Sequence, residues 1–398
     1  METTHIHPEH RDKKSRKRTF LKKGSGCTYF SEIDLLVRQA VTRNLFPGAV
    51  LSAYSRGENI YERAWGNLTY VPWSPDVRTT TVFDLASLTK PLATALAVMA
   101  LIAAGRLRIR DTVADFFPDC PADKRSISIE HLLSHTSGLP AHAALYREVV
   151  VLPSCGRNRE MKRIILSMPL KSRCGRRTEY SDLGFILLGW IVETITGSPL
   201  DESVYQLVFR PFGIHGLRFF RQSGEACRTT APSRTTDTAI APSEVCPFRG
   251  RIVQGEVNDL NAWAAGGVAG HAGLFGDARS LSRLLQELLA VCNGERYVSG
   301  FPRELLRRFW QRHQDPERTF ALGFDTPSAT GSSSGRRFSR RSIGHLGFTG
   351  TSFWMDLEKQ ISVVLLTNRT FPRATDEKKG AMQRFRAEIH DLVMEAAG

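Results

Sequence analysis

Ser87-Leu88-Thr89-Lys90 is the only S-x-x-K in the chain, and it stands where a helical run begins, between strand-like Thr81–Phe83 and an Ala/Leu-rich stretch. Spacing of i and i+3 puts the hydroxyl and the amine on one helix face, about 5–6 Å apart at Cβ. The helix start adds positive potential and unpaired N–H groups beside the hydroxyl. A serine so placed suits acyl transfer, because a lysine kept neutral by burial and nearby positive charge accepts its proton. Taken alone, the same residues also read as a capping Ser and a surface Lys.

Two further segments bear on that choice. Glu179-Tyr180-Ser181-Asp182 precedes the apolar run Leu183–Val192, which sets the Tyr180 phenol at a helix start where it could face a cleft. His345 lies in Gly344-His345-Leu346-Gly347-Phe348-Thr349-Gly350, on the first strand after an Arg-rich loop, where two glycines would let a substrate backbone approach. Singly, these read as a half-buried Tyr and a sheet-edge His. Chance is a poor account of S-x-x-K, Y-S-D and H-x-G in that order, with about ninety and then 165 residues between them.

Other candidates carry less. Gly331-Ser332-Ser333-Ser334-Gly335 matches G-x-S-x-G literally, but a nucleophile elbow needs a strand before it and a helix after it, and this stretch is a polar loop. His131 and His135 have i,i+4 metal spacing without the Glu of H-E-x-x-H, and read better as a helix end and turn with His135 bonding loop carbonyls. No metal or organic cofactor is expected. His271, flanked by Gly270 and Gly273, is open to a structural or a functional role. Arg336, Arg337, Arg340 and Arg341 read as a solvated loop, or alternatively as an attractor of anionic substrate. Trp65, Trp73, Trp190, Trp263 and Trp354 read as core and rim.

The elements that must position these residues come in a simple order. Ser31 is an N-cap candidate for a first helix with Ile33, Leu36, Val37 and Ala40 at helical spacing, stopped by Pro47-Gly48. Ala49–Tyr54 and Asn59–Trp65 read as a hairpin, and Thr79–Phe83 as another short strand. Helical segments at about 128–134, 159–168, 181–196, 200–208 and 278–292 come next, with residues 222–260 read as a long surface loop. Strands return at Ile343–Phe348, Ser352–Asp356 and Ile361–Thr367, before an amphipathic helix with apolar face Met382, Phe385, Ile389, Leu392, Val393 and Ala396. Strands at both chain ends and helices between them assemble most economically as an α/β fold. One antiparallel sheet is built from N- and C-terminal strands, flanked by the terminal helices, with an inserted mostly helical region and a cleft between.

The 398 residues are 41% hydrophobic and 24% charged, ordinary globular usage that speaks against collagen, coiled coil and wholesale disorder. The net charge of +14 would suit anionic partners, yet the first thirty residues supply a surplus of five of those charges. Residues 1–29 read as a basic disordered tail without the aromatic interleaving of a stacking surface, so no specific nucleic-acid partner is expected. Seven scattered cysteines without C-x-x-C argue against a disulfide framework or zinc cluster and for a reducing compartment. No signal-peptide h-region is visible, and the longest apolar stretch, Ala93–Ala104, falls short of the roughly twenty residues a bilayer needs. The expectation is a soluble cytoplasmic protein with no transmembrane segment. Its oligomeric state is left open.

Phe83–Lys90, the stretch His131–Pro140, the Tyr180 segment and the His345 segment together resemble the serine β-lactamase-related hydrolases: class C β-lactamases, low-molecular-weight penicillin-binding D,D-peptidases and their esterase relatives. Asn258–Asn261 and Gly266–Phe275 further resemble a subgroup with D,D-carboxypeptidases. The resemblance implies a β-lactamase/transpeptidase-like domain over 30–398, its sheet part about 30–84 and 300–398 and its helical part about 85–299. It implies Ser87 as acylated nucleophile, Lys90 and Tyr180 sharing base and proton-shuttle work, and the backbone N–H groups of Ser87 and Phe348 as oxyanion hole. Asp182, His345 and Gly347 fall at substrate-binding positions. His345 stands where many relatives place a Lys that meets a carboxylate, and it is only fractionally charged near pH 7. Asp182 stands where Asn is commoner, and its charge favours the Lys90 ammonium. Both departures point to ester or peptide hydrolysis of a small-molecule or peptide substrate rather than efficient β-lactam cleavage. A weak β-lactamase and a non-catalytic binding or regulatory module are the alternatives.

Overall fold

The computed structural model describes residues 25–222, 239–313 and 319–398. In chain order its strands are β1 (Gly48–Ser55), β2 (Glu58–Gly66), β3 (Phe83–Asp84), β4 (Arg218–Phe219), β5 (Glu244–Cys246), β6 (Arg251–Val253), β7 (Leu274–Gly276), β8 (Ser342–Leu346), β9 (Ser352–Asp356) and β10 (Ile361–Thr367). Four helices bear on the sheet and the site: α1 (Ser25–Thr42), α2 (Asp182–Thr196), α3 (Ala278–Asn293) and α4 (Asp376–Ala397).

Strands from the two chain ends form one antiparallel sheet in the order β2-β1-β10-β9-β8. The ends meet along β1 and β10, from Ala49 opposite Thr367 to Ser55 opposite Ile361. β10 is buried along its whole length because both of its faces are covered. Side chains alternate across a strand, so Val363 and Leu365 pack with Ile33, Val37, Phe385, Ile389 and Val393 of α1 and α4. Val364 and Leu366 join the larger core of the helical region, where α3 lies with Leu281, Leu284, Leu285 and Leu288 inward. Each fully buried aliphatic side chain of this kind is worth about 1.5–3 kcal/mol. From Leu183 to Val192, α2 is apolar all round and buried in that second core. β8 is an edge strand of the sheet, turned toward the helical region.

Four readings of the sequence need correction. The first helix begins at Ser25, so Ser31 lies inside it; the tail Arg11–Lys23 falls outside the described residues. The strand expected over Thr79–Phe83 shrinks to Phe83–Asp84, paired with β7, because Thr81 closes a turn onto Arg78. Residues 239–260 are not all surface loop. β-branched Val245 and Ile252 pair across the β5–β6 hairpin, and Asn258 is buried. The helical run Ala86–Ala103 is long and apolar enough to cross a bilayer, but 83% of it is buried inside the fold as a core helix. The bent pair Asp182–Thr196 and Leu200–Phe212 passes the same test only as one span broken by 76°.

Candidate active site

Ser87 is offered to the cleft by a strained turn. Ala86 has φ +49°, a left-handed conformation that costs a residue with a Cβ about 1–3 kcal/mol. The buried carboxylate of Asp84 holds it there, accepting the Ala86 N–H at 2.8 Å and the Asn258 N–H at 2.6 Å. Burial pushes Asp84 up to about 6, and those two donors limit the rise. Ala86 and Leu88 are buried while Ser87 between them is partly exposed. Its N–H, in the first turn of the 3-10 segment Ala86–Leu88, has no acceptor within that turn.

Lys90 opens a π-turn, Lys90–Ala95, of the kind that accompanies functional sites. Its side chain is fully buried, and its three ammonium protons meet three acceptors. These are Ser87 Oγ at 3.0 Å, the His271 carbonyl at 3.1 Å and Asp182 Oδ1 at 2.7 Å. Burial alone would lower the Lys90 pKa, but the Asp182 charge and hydrogen bond outweigh it and the net shift is upward. Asp182 is driven well below the usual carboxylate range, because the Lys90 charge and bonds from His142 and Lys90 overcome its own burial. His142, half-exposed, lies 3.4 Å from Asp182 Oδ2, and that contact raises its pKa.

The Tyr180 hydroxyl is in hydrogen-bond reach of both Ser87 and Lys90, and burial raises its pKa. Its ring lies 4.9 Å from the ammonium and packs against His135, Phe320 and His345. The expected contact of His135 with loop carbonyls is replaced by a different one. Its Nδ1 accepts the Ser181 N–H at 3.0 Å, which pins the residue after the phenol. Ser181 then caps α2 through Gly184 and donates to the Pro140 carbonyl. His131 serves the cap of its own short helix, bonding Ser128.

From the sheet side, β8 brings His345 and the turn Gly347–Thr351. His345 Nδ1 donates to the Leu346 carbonyl at 2.9 Å. Its Nε2 is buried with no partner among the described residues. Burial, then the Lys90 charge, push its pKa down to about 3, so it is neutral near pH 7 rather than fractionally charged. The turn is tied to the serine segment by Thr349 Oγ1 on the Asp84 carbonyl (2.8 Å) and Thr351 Oγ1 on the Leu85 carbonyl (3.2 Å). This sets the Phe348 N–H, unused by the turn's own hydrogen bonds, against the Ser87 segment. Packing requires both glycines. A Cβ on Gly347 would lie 2.0 Å from Thr351 Oγ1 and 2.8 Å from the Leu85 carbonyl, and one on Gly344 would lie 2.3 Å from the Phe353 carbonyl.

The structure therefore gathers Ser87, Lys90, Tyr180, Asp182 and His345 into one site, with Gly347 as its packed wall. Arg336 and Arg337 pair with Asp391 and Glu395 of α4, which answers their reading as an anion attractor. The Ser332 and Ser334 hydroxyls of the G-x-S-x-G stretch bond each other in a loop. Among the described residues no cluster of three His, Cys, Asp or Glu could hold a metal. Three site residues had escaped sequence reasoning. Asp84 lies in the Phe83–Lys90 stretch, where an alanine at position 86 gives no sequence sign of its positive φ. His142 had no signal. Asp259, 2.8 Å from His271, lay in a segment noted only for its resemblance.

The sequence profile of the Beta-lactamase family matches residues 33–386, and the chain belongs to that family. An N-acetylmuramyl-L-alanine amidase of Bacillus subtilis (strain 168) is 32% identical over 371 residues, covering 87% of this chain and 82% of the relative. A protein of Escherichia coli (strain K12) named as a D-alanyl-D-alanine carboxypeptidase is 30% identical over 384 residues, covering 90% and 86%. Among solved structures, EstCE1, a hydrolase with promiscuous acyltransferase activity, superposes with TM-score 0.71 at 22% identity over 94% of this chain and 99% of its own. A β-lactamase/D-alanine carboxypeptidase from Pseudomonas syringae gives 0.68 at 16% identity over 91% and 99%. Those two likenesses speak to fold alone. Family and relatives together mark the chain as a hydrolase of the β-lactamase and penicillin-binding-protein fold.

Proposed function

We propose that the protein is a serine hydrolase that forms an acyl-enzyme on Ser87 from an ester or peptide-like substrate. The observation that carries this reading is the contact of one hydroxyl, one amine and one phenol: Lys90 Nζ lies 3.0 Å from Ser87 Oγ, and Tyr180 reaches both. Ser87 Oγ attacks the substrate carbonyl carbon, and its proton passes to the Tyr180–Lys90 pair. That proton then goes to the departing oxygen or nitrogen, and water repeats the cycle on the ester. The Ser87 and Phe348 N–H groups receive the oxyanion. Asp182 is spent on Lys90 and His142, so its part is to set the charge of the pair.

A buried, neutral His345 offers no positive charge to a substrate carboxylate, which argues against efficient β-lactam cleavage. The relatives named as amidase and carboxypeptidase support a peptide-like amide. A fluorophosphonate probe is expected to add its mass to Ser87, and Ser87→Ala to abolish hydrolysis of p-nitrophenyl acetate. Unchanged protein mass with a probe proven on a control hydrolase would defeat the proposal. The 2.7 Å Lys90–Asp182 pair favours a second reading, a non-catalytic binding module, because it keeps a proton on the base. Ester turnover no faster than the Ser87→Ala background would favour that module.

A further inference from the structure

Arg386 belongs to α4, on the far side of the sheet from the serine, yet it reaches the turn after β8. It is buried, and one nitrogen, Nη2, donates to the carbonyls of Gly347 (3.1 Å) and Thr351 (2.6 Å). The Gly347 carbonyl is the other end of the peptide group that carries the Phe348 N–H. It also accepts the Gly350 N–H at 3.1 Å, so this one amide oxygen holds two hydrogen bonds, one of them from a cation. No carboxylate pairs with Arg386 among the described residues, so its charge is not spent elsewhere. Burial and then Arg369 lower its pKa to about 9, which leaves it cationic near neutrality. Arg369 itself donates to the Phe348 carbonyl and lies 5.4 Å from the Phe348 ring, fixing the next peptide along.

The serine side has the same construction. The peptide that carries the Ser87 N–H ends in the Ala86 carbonyl, which accepts Thr89 Oγ1 at 2.6 Å and the Thr89 N–H. Both candidate oxyanion donors thus belong to amides whose oxygens are doubly bonded by hydrogen. Hydrogen bonds in a chain polarise one another by about 10–30% per bond, and a charged donor is roughly twice as strong as a neutral one.

We infer that Arg386 is a positioning residue for the acyl-transfer reaction, orienting and polarising the Gly347–Phe348 peptide so that its N–H binds the oxyanion. The inference rests on the acyl-enzyme reading above. Arg386→Met leaves each carbonyl one backbone partner, since Thr351 keeps the Gly347 N–H at 2.8 Å and Gly347 keeps Gly350. The expected result is a fall in kcat of about tenfold at nearly unchanged KM, less than the 10²–10³ for deleting an oxyanion donor.

The deciding readout is the infrared carbonyl band of the acyl-enzyme formed from an isotope-labelled p-nitrophenyl ester. Weaker polarisation moves that band to higher wavenumber in Arg386→Met, while the burst of nitrophenol stays stoichiometric. A merely structural loss would shrink the burst and leave the band of the surviving acyl-enzyme in place. Arg386→Gln, a neutral donor, is the fallback if the Met variant does not fold, and a smaller shift of the same sign is expected. A folded variant with full burst and unmoved band overturns this inference alone. A parent protein that never acylates overturns it together with the proposed function.

Discussion

Asp182 lies 2.7 Å from Lys90, and a full carboxylate at that distance favours the ammonium over the free amine. The same charge raises the Tyr180 pKa, already raised by burial. At rest the pair therefore holds both protons, and the Ser87 proton has a ready acceptor only after one of them leaves. Because the two groups are coupled, the proton belongs to the pair rather than to either residue. Acylation is expected to climb with pH on the alkaline side of neutrality instead of levelling near 7. Asp182→Asn removes the charge that raises both groups, so the rising limb should move to lower pH and the rate at pH 7 should increase. Stopped-flow acylation from pH 6 to 10 checks this, and a limb that stays put or moves upward would show that Asp182 does not control the base. Tyr180→Phe should lower turnover of short acyl esters by about 10²–10⁴, the range for a lost proton-transfer group. Full activity in that variant would remove Tyr180 from the proton path.

The elements bring these residues together through two clamps. Asp84 pins the left-handed Ala86 next to Ser87, and Thr349 and Thr351 tie the turn after β8 to the carbonyls of Asp84 and Leu85. Gly347 is where the second clamp is tightest. Gly347→Ala should cost about 1–3 kcal/mol of stability through overpacking and slow acylation by shifting Phe348. Denaturant unfolding with burst kinetics measures both, and wild-type values for both would mean that the turn yields without consequence. β9 and β10 were legible to the residue, because alternating or continuous β-branched and aromatic side chains between turns have few other readings. So were the three motifs, whose order constrains more than any one spacing. The β5–β6 hairpin was not, since Thr, Ser and Pro around it mask a pair set by Val245 and Ile252. Arg386 had a signal that went unread. It sits beside Phe385 and three before Ile389, a cation on the apolar stripe of α4, where burial demands acceptors.

At the scale of the whole molecule, closing the sheet between chain ends encloses polar groups that must stay in one protonation state. His135, His345 and His390 are buried and neutral: burial holds the first well below its ordinary value, the second at about 3 and the third at about 4. Asp84 and Asp325 are held high by burial, at about 6 and about 7. The two groups act oppositely on stability. A histidine with a folded pKa below its unfolded value contributes stability that is complete above about 6.5 and drains away as pH falls toward the folded value. A carboxyl with a raised folded pKa takes up its proton more readily in the folded state, so it favours folding as pH falls from about 7 toward 4. Three histidines against two carboxyls leave acid destabilisation beginning near pH 6.5, above the usual carboxylate range. His390 tests this cleanly, because it lies on the buried face of α4 with Nδ1 on the Ser333 carbonyl at 2.8 Å, away from Ser87 and Lys90. His390→Gln keeps a donor for that carbonyl and removes the titration. The variant's unfolding free energy should then fall less steeply with acid between pH 6.5 and 4, by up to roughly 1.4 kcal/mol per pH unit. Urea unfolding across that range reads the difference, and parallel pH profiles for parent and variant would show that His390 is not held neutral by the fold.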